Sequence, residues 1–335
     1  MAAIGGRPVG IMGTGMRIPK KVITNADLEK MVDTSNDWIV ERTGINTRHI
    51  VSDGDSNAGL SAGAAMNAMK DAGIAPGHID MVIVGTNSPD TLFPGVGPVV
   101  QDMIGADNAG GMDVQAGCPG GLYAMVAAAG GIASGIWENV VVIGSEALTR
   151  MLDWTDRNTC VLFGDGAAAF VMGPWRESEK GMLRLTHADL RADGGKSDLI
   201  SFPGGLAAEP ATNESVREKR HCVQMRGNEV FKFVNREIPR FLESFCRDSG
   251  VLPRDIDWWI FHQANLRILE GIARRMHIPM ERVIVNLDRY GNTSSASIML
   301  ALHEAREDGR IRSGQRVVIS SFGAGMTYGA VLLES

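Results

Sequence analysis

Short apolar, β-branched runs alternate along the chain with longer segments of helical periodicity. Four of these runs predict buried strands, at residues 81–84, 140–143, 258–261 and 317–320. The clearest helical segments are residues 55–72 and 229–249. Strands that alternate with helices of this length indicate an α/β fold with largely parallel pairing. The region 193–221 is rich in glycine and polar residues and predicts a long surface loop.

The same order of elements occurs twice. In the first half, Asp80 and its strand lead to Cys118, a helix of small residues and a further strand. In the second half, Asp257 and its strand lead to Asn292, a similar helix and a further strand, with nearly the same spacing. A repeat of this length predicts two similar α/β halves that pack together. The predicted boundaries are residues 1–175 and 176–335.

The composition narrows the classes of function. The 335 residues are 44% hydrophobic, which is ample for a large core, and the net charge of −6 argues against nucleic acid as the main partner. The four cysteines lie far apart, which is typical of reduced thiols and not of a disulfide framework or a metal site. The N-terminal residues show no secretory pattern, so we predict a cytoplasmic protein.

One uncharged segment, residues 114–137, is long enough to cross a bilayer. It contains six glycines and few large aliphatic residues, and glycine and alanine contribute little to membrane insertion. We therefore predict a helix that is buried inside the protein, and no membrane span.

Cys118 lies within this segment, after the end of a predicted strand. Pro119 is suited to the first position of the helix that follows, which places Cys118 at the helix cap. Unpaired backbone N–H groups and the positive end of the helix dipole favour an anion at such a position. We therefore expect the thiol of Cys118 to lose its proton readily and to act as a nucleophile.

Two polar residues of the second half accompany this cysteine. His262 directly follows the strand at 258–261, at the edge where open α/β sheets usually place their sites, although a lone histidine there is more often structural. Asn292 precedes a predicted helix, where asparagine most often serves as an N-cap. Together with Cys118, these residues predict a Cys–His–Asn site between the halves.

Such a triad serves two kinds of chemistry. In a cysteine hydrolase, the histidine is the general base for the thiol and the asparagine orients it. In carbon–carbon bond formation, the thiolate carries an acyl group, while histidine and asparagine donate hydrogen bonds to an enolate oxygen. The residues around Cys118 lack the pattern of papain-like hydrolases. The chain has no strand–GxxxxGK[ST]–helix element, which excludes nucleotide hydrolysis.

Six sequence blocks resemble those of the β-ketoacyl-acyl-carrier-protein synthase III family, in the same order across essentially the whole chain. They are WIVERTGI (38–45), FGDGA (163–167), GNEVFK (227–232), HQANLRI (262–268), LDRYGNTS (287–294) and FGAG (322–325). The resemblance implies a thiolase-like fold, with two duplicated halves in five αβαβα layers, and a homodimer. It implies an acyltransferase that initiates fatty-acid synthesis by decarboxylative condensation of a short acyl-CoA primer, such as acetyl-CoA, with malonyl-ACP. Acyl-CoA is then a substrate, and no further cofactor is expected.

The resemblance also implies a role for each site residue. Cys118 accepts the primer acyl group, and His262 and Asn292 stabilise the enolate formed from malonyl-ACP. The backbone N–H groups of Cys118 and Ala324 form the oxyanion hole, although many family members carry glycine in place of Ala324. Because these donors belong to the backbone, the alanine is tolerated if the backbone conformation survives.

Three further groups of residues follow from the resemblance. The implied CoA contacts are Trp38, Arg42, Arg157 and Asn265. The implied carrier-docking residues, a basic patch suited to an acidic partner, are Lys232, Arg267, Arg274 and Arg275. The implied acyl-tunnel residues are Phe93, which reaches into the partner subunit, and Leu148, Leu162 and Phe163. Without the resemblance, Trp38 and its two arginines would be interpreted as ordinary solvated surface. Arg274 and Arg275 have a solvated helix face as the alternative to docking.

Several alternatives stay open. Residues 86–90 and 115–121 differ from the commonest family pattern, and the region 193–221 is longer. These differences leave room for a specialised relative that uses an aryl or medium-chain acyl-CoA primer in secondary metabolism. A thioesterase would release acyl-Cys118 to water, and a non-catalytic dimeric scaffold is disfavoured by the intact Cys–His–Asn residues.

Overall fold

The computed structural model describes residues 2–3, 5–177 and 181–335. The described residues form fourteen strands and ten α-helices, numbered in chain order. The strands are β1 Ala2–Ala3, β2 Val9–Arg17, β3 Lys21–Thr24, β4 Thr47–Ile50, β5 Met81–Gly85, β6 Gly110–Val114, β7 Val140–Glu146, β8 Gly166–Pro174, β9 Leu183–Ala192, β10 Ile200–Ser201, β11 Gln224–Met225, β12 Trp258–Phe261, β13 Arg316–Phe322 and β14 Thr327–Glu334. The helices are α1 Asn25–Leu28, α2 Asn36–Thr43, α3 Asn57–Ala72, α4 Val96–Met103, α5 Gly120–Ala133, α6 Asn213–Arg217, α7 Gly227–Ser249, α8 Leu266–Arg275, α9 Leu287–Tyr290 and α10 Ser297–Glu307.

The four predicted strands and the two predicted helices are present, as β5, β7, β12, β13, α3 and α7. Helix α3 begins at Asn57, two residues later than predicted, because the Ser56 side chain caps it by accepting a hydrogen bond from the Gly59 N–H. The region 193–221, predicted as a loop, contains α6 and β10, and β10 pairs with β11 in a small separate sheet.

The main sheet contains one strand order twice. In the first half the order is β6–β5–β7–β8–β2, and in the second half it is β12–β13–β14–β9. Val283 pairs beside β12 through a single parallel bridge to Trp259, so it occupies the place that β6 has in the first half. The predicted internal repeat is therefore confirmed. Residues 1–175 and 176–335 remain our proposed halves, since β8 ends at Pro174 and β9 begins at Leu183.

The alternation of side chains along the strands produces the predicted five layers. In β7, Val140 and Val142 pack into the central core with α5 and α10, while Val141 and Ile143 pack on the opposite face against α3 and α4. The second half repeats this arrangement, with α7 and α8 on its outer face. The layers are thus α3/α4, the first set of strands, α5/α10, the second set of strands, and α7/α8.

The uncharged segment at 114–137 forms most of the central layer. Its helix α5 has nine buried residues and packs against strands of both halves. Among the described residues, none of the helices combines the length and the apolar character that crossing a bilayer requires. The small residues of this segment therefore serve close packing inside the protein.

The two halves touch where α5 and β7 meet the turn before α10, at Ser294–Ala296. A Cβ atom added at Gly121 would lie 2.4 Å from the carbonyl oxygen of Ser295, and one added at Gly144 would lie 2.3 Å from it. These distances are far below van der Waals contact, and the neighbour is backbone that cannot rotate away. Glycine is therefore required at both positions for the halves to approach.

Glu146, at the end of β7, lies at the same junction and is fully buried. Its carboxylate accepts hydrogen bonds from Asn87 Nδ2 at 2.8 Å and from the hydroxyl of Ser88 in the first half. It also accepts one from Ser295 Oγ of the second half, at 2.6 Å. The side chain of Asn87 donates in turn to the carbonyl oxygen of Gly117, at 3.0 Å. Glu146 thus links the residue before Cys118 to the turn of the opposite half.

We predict that Gly121→Ala lowers the free energy of unfolding by about 1–3 kcal/mol or more, because the added methyl group is forced against fixed backbone. Gly130→Ala is the matched control: it lies in the same helix, and its added Cβ has no atom within 4 Å. The control should be neutral or more stable by about 0.5–1 kcal/mol, since alanine favours helix. Urea unfolding followed by circular dichroism measures the free energy of unfolding of both variants. Equal stabilities would contradict the requirement for glycine at position 121.

Candidate active site

A cavity of about 800 Å³ opens at the junction of the two halves. Cys118, His262 and Asn292 all line it. Cys118 follows β6 and His262 follows β12, so both lie at the carboxyl ends of parallel strands, while Asn292 follows α9. The structure thus brings the three residues predicted from the sequence into one cavity.

Cys118 lies one residue farther from the helix than predicted. Helix α5 begins at Gly120, and its N-cap is Pro119. Burial raises the pKa of the Cys118 thiol to about 11, and the negative charge of Glu146 acts in the same direction. Hydrogen bonds to the sulfur from the Ser294 hydroxyl and the backbone N–H groups of Ala324 and Cys118 oppose this shift without overcoming it. Burial therefore opposes the easy ionisation that we expected from the helix start.

His262 is buried, lines the same cavity as Cys118 and is neutral. Its Nδ1 lies 2.7 Å from Ser297 Oγ, and its ring meets that of Phe322 edge-on, with centroids 5.2 Å apart. Burial lowers the pKa of His262 to about 3, so the ring carries no charge at neutral pH. The backbone N–H of His262 donates to the carbonyl oxygen of Ser320 at 2.8 Å, which fixes the residue to β13.

Asn292 is held by its backbone and by one end of its side chain. Its N–H donates to the Leu162 carbonyl at 2.8 Å, and its carbonyl accepts from the Gly164 N–H at 3.0 Å. Its Oδ1 accepts a hydrogen bond from the backbone N–H of Ser294 at 2.9 Å. Asn292 therefore caps the turn that contains Ser294. It does not cap α10, whose N-cap is Ala296. Within the described residues Nδ2 has no hydrogen-bond partner, which leaves this donor for the cavity.

The loop that carries Ala324 lies directly against Cys118. A Cβ at Gly323 would lie 2.4 Å from the Cys118 nitrogen, so this approach requires glycine. The left-handed backbone conformation in this loop falls on Gly325, with φ 74°, and on Met326, with φ 42°. Ala324 itself has no positive φ. An alanine can therefore hold the backbone N–H that points to the sulfur.

Three of the implied CoA residues, Trp38, Arg42 and Asn265, line the cavity, and Arg157 lies against the Trp38 ring without lining it. Trp38 and Arg42 are four residues apart on α2, and Arg42 and Arg157 place their guanidinium carbons 4.8 and 5.2 Å from the centroid of the Trp38 ring. Arg157 also donates to the carbonyl oxygen of Asp33 at 2.8 Å. Asn265 lines the cavity, but its amide is already engaged by the backbone of Arg42 and of α8, whose N-cap it forms.

The implied tunnel residues divide into two places. Leu148, Leu162 and Phe163 line the cavity. Phe93 does not line it; its relative exposure is 82%, and the neighbouring Leu92 is 70% exposed. Within one chain, the cavity is therefore formed without Phe93.

Sequence reasoning missed one wall of the cavity. Ile200 and Phe202 line the cavity in and just after strand β10 of the small sheet, and Val223 and Met225 line it just before and in strand β11. The backbone N–H of Val223 donates to the Met151 carbonyl at 2.8 Å, which fastens this wall. The sequence does contain a signal for a hairpin that covers the cavity. Apolar residues occupy every second position both before and after a polar stretch.

The four implied docking residues lie on α7 and α8, which contact each other. Lys232, Arg267, Arg274 and Arg275 are all exposed, and in the described parts of the chain none of them forms an ion pair. Arg267 also lines the cavity mouth and lies 5.9 Å from the ring centroid of Phe231. One of the four implied docking residues therefore lies at the cavity.

Comparisons with known proteins match this geometry. Models of 3-oxoacyl-[acyl-carrier-protein] synthase III and of its C-terminal part match residues 112–194 and 246–335. The chain is 46% identical to the β-ketoacyl-[acyl-carrier-protein] synthase III of Desulfitobacterium hafniense and 44% identical to that of Xanthomonas axonopodis pv. citri, over 97% of each chain. Its structure is similar to that of 3-oxoacyl-[acyl-carrier-protein] synthase III from Aquifex aeolicus, with a TM-score of 0.88 and 38% identity, covering 98% of this chain and 100% of that one.

We predict that iodoacetamide modifies Cys118 selectively, because Cys118 is half-buried while the other three cysteines are buried. Since the pKa of Cys118 is raised to about 11, the modification rate should rise about tenfold per pH unit between pH 7 and 9 without levelling off. Mass spectrometry of the alkylated chain measures the rate, and Cys118→Ala is the control that should lose it. A plateau below pH 8 would show an acidified thiol and contradict the raised pKa.

Proposed function

The chain belongs to the 3-oxoacyl-[acyl-carrier-protein] synthase III family, and we propose that its cavity performs the condensation in two steps on Cys118. The protein is an acyltransferase that initiates fatty-acid synthesis. The observation that carries the proposal is the placement of a half-buried thiol, a neutral histidine and a free amide donor in one cavity, beside an apolar wall. The primer is a short acyl-CoA such as acetyl-CoA, and the extender is malonyl-ACP.

In the first step, Cys118 takes the acyl group. Its sulfur attacks the thioester carbonyl of the acyl-CoA, and the negative charge that develops on the carbonyl oxygen receives hydrogen bonds from the N–H groups of Cys118 and Ala324. The carbon–sulfur bond to CoA breaks, and the proton of the Cys118 thiol ends on the CoA sulfur. The acyl chain then lies against Leu148, Leu162 and Phe163.

In the second step, malonyl-ACP loses its carboxylate as carbon dioxide. The electron pair of the broken carbon–carbon bond forms an enolate, whose oxygen receives hydrogen bonds from His262 and from Asn292 Nδ2. The enolate carbon attacks the acyl carbonyl on Cys118, and the Cys118 thiolate is expelled. Because the pKa of this thiol is high, the thiolate takes up a proton at once, and the site returns to its starting state.

The surfaces around the mouth support the proposed partners. Trp38, Arg42 and Arg157 combine an aromatic face with two cations, which suits the adenine and phosphates of CoA. The exposed cationic patch suits an acidic acyl carrier protein that delivers malonate to the same entrance. The exposed Phe93 and Leu92 support a homodimer in which Phe93 contacts the partner subunit. The four free cysteines, which suit a reducing compartment, support a cytoplasmic location.

Intact mass spectrometry against a panel of acetyl, medium-chain and aryl acyl-CoA tests the proposal, followed by addition of malonyl-ACP or malonyl-CoA. We expect acetyl-CoA to add an acetyl group to the wild-type chain and not to Cys118→Ser. We expect malonyl-ACP to discharge this group into a β-ketoacyl product.

Each other outcome identifies a different function. An adduct that forms only with aryl or medium-chain primers would favour the specialised relative over fatty-acid initiation. Release of free acid without a condensed product would show a thioesterase. The absence of any adduct, or an adduct that malonyl thioesters never discharge, would overturn the synthase proposal.

We predict that Asn292→Ala spares acylation of Cys118 and lowers malonyl decarboxylation about 10²–10³-fold, because only the enolate requires the Nδ2 donor. Asn292→Asp is the matched variant, since it retains an oxygen for the Ser294 N–H while it replaces the donor with a carboxylate oxygen, whose negative charge adds to the loss of decarboxylation. Single-turnover acetylation and release of carbon dioxide from malonyl-ACP measure the two steps separately. Equal losses in both steps would refute this division of labour.

A further inference from the structure

Ser297 is the first residue of α10 and is almost fully buried. Its hydroxyl oxygen lies 2.7 Å from Nδ1 of His262, within the range of a good hydrogen bond. The same oxygen accepts a long hydrogen bond from the backbone N–H of Gln263, at 3.4 Å. Ser297 therefore contacts His262 at Nδ1, and among the described residues Nε2 has no hydrogen-bond partner.

The hydrogen bonds available to Ser297 decide the direction of this contact. The hydroxyl has one hydrogen to donate, and Nδ1 of His262 is the only acceptor that its oxygen reaches in the described residues. If the ring instead carried its hydrogen on Nδ1, the buried hydroxyl hydrogen would have no acceptor. An unsatisfied buried polar group costs about 1–3 kcal/mol, so donation from Ser297 to Nδ1 is favoured.

We propose that Ser297 is a positioning residue that holds His262 in the tautomer with its hydrogen on Nε2, directed into the cavity. Nδ1 accepts the Ser297 hydrogen, and Nε2–H remains to donate a hydrogen bond to the enolate oxygen. This inference rests on the function proposed above for His262. It assigns His262 the role of a neutral donor, and excludes Nε2 as the base that takes the proton of Cys118.

The neutral state of the ring is consistent with this role. Burial lowers the pKa of His262, and among the described residues the Ser297 hydroxyl is the hydrogen-bond partner of Nδ1, so no carboxylate there favours an imidazolium. The edge of the Phe322 ring also packs against His262. A histidine that works as a general base commonly has a carboxylate or amide oxygen on Nδ1, which holds the hydrogen there and leaves Nε2 free to accept.

The first test measures the tautomer directly and needs no substrate. The whole protein, labelled with ¹⁵N-histidine, gives separate signals for protonated and unprotonated ring nitrogens, and His262 is assigned by comparison with His262→Ala. We expect Nδ1 unprotonated and Nε2 protonated in the wild type from pH 6 to 8. A hydrogen on Nδ1 in the wild type would overturn the proposal, whether or not the protein condenses malonyl-ACP.

The second test measures what the contact does for the reaction. Ser297→Ala should lower malonyl decarboxylation by about five- to tenfold, the effect of one lost buried hydrogen bond, and leave Cys118 acylation within about twofold. Ser297→Thr retains the hydroxyl and should restore most of the rate. In the His262→Ala background, Ser297→Ala should have no further effect on decarboxylation, because Ser297 acts through His262.

The matched control is Ser321→Ala, which removes another fully buried hydroxyl, one without a hydrogen-bond partner in the described residues. It should leave both steps unchanged. A loss in Ser297→Ala that persists in the His262→Ala background, or an equal loss of acylation, would show a merely structural role. Failure of the condensation in the wild type would refute the proposed function and leave the tautomer measurement valid.

Discussion

The carboxylate of Glu146 lies at the junction of the two halves without a lysine or arginine beside it in the described part of the chain. A buried charge without partners costs several kcal/mol, so this carboxylate is tolerated only where donors surround it. The first half supplies Asn87 and Ser88, and the second supplies Ser295. The halves must therefore meet in one register before Glu146 is satisfied. In that register Asn87 also holds the Gly117 carbonyl, and the turn of the opposite half brings Ser294 to Cys118.

The junction divides the chemistry between the halves. In the proposed mechanism, the first half supplies the sulfur and the backbone N–H of Cys118, and the second supplies the donors of His262, Asn292 and Ala324. The glycines at 121 and 144 allow the close approach, and Gly323 allows the loop of Ala324 to reach the sulfur. Each donor is fixed by a bond on its other side: Asn292 by the Ser294 N–H, and His262 by Ser297. Such preorganised donors stabilise a developing oxyanion without the cost of reordering them.

The sequence was sufficient for the features that depend on local pattern. Strand periodicity predicted β5, β7, β12 and β13, and the repeat of Asp80 and Asp257 predicted the duplicated halves. Cys118 and Asn292 were singled out because they occupy matching positions of the repeat, and His262 because it directly follows a strand. These signals are patterns within short stretches of sequence and the spacing between them.

Other features depend on residues that are distant in sequence, and prediction failed or was silent there. The helix start favoured an acidified Cys118, but burial by both halves raises its pKa. Glu146 ends an apolar strand, and nothing in its neighbours indicates that Ser295, 149 residues away, donates to it. The wall that contains Ile200 and Val223 lies in and next to the region 193–221. For that region the glycine-rich, polar composition predicted only a surface loop. Local pattern cannot report desolvation or pairing across the fold.

The high pKa of Cys118 also bears on the durability of the enzyme. Peroxides oxidise the thiolate of cysteine much faster than the thiol, first to sulfenic acid and then to forms that cells do not readily repair. A sulfur that rests as a thiol, and becomes ionised only during a turnover, presents little thiolate to such oxidants. The burial that raises the pKa of Cys118 therefore keeps its thiolate fraction small at neutral pH, which slows this route of oxidation.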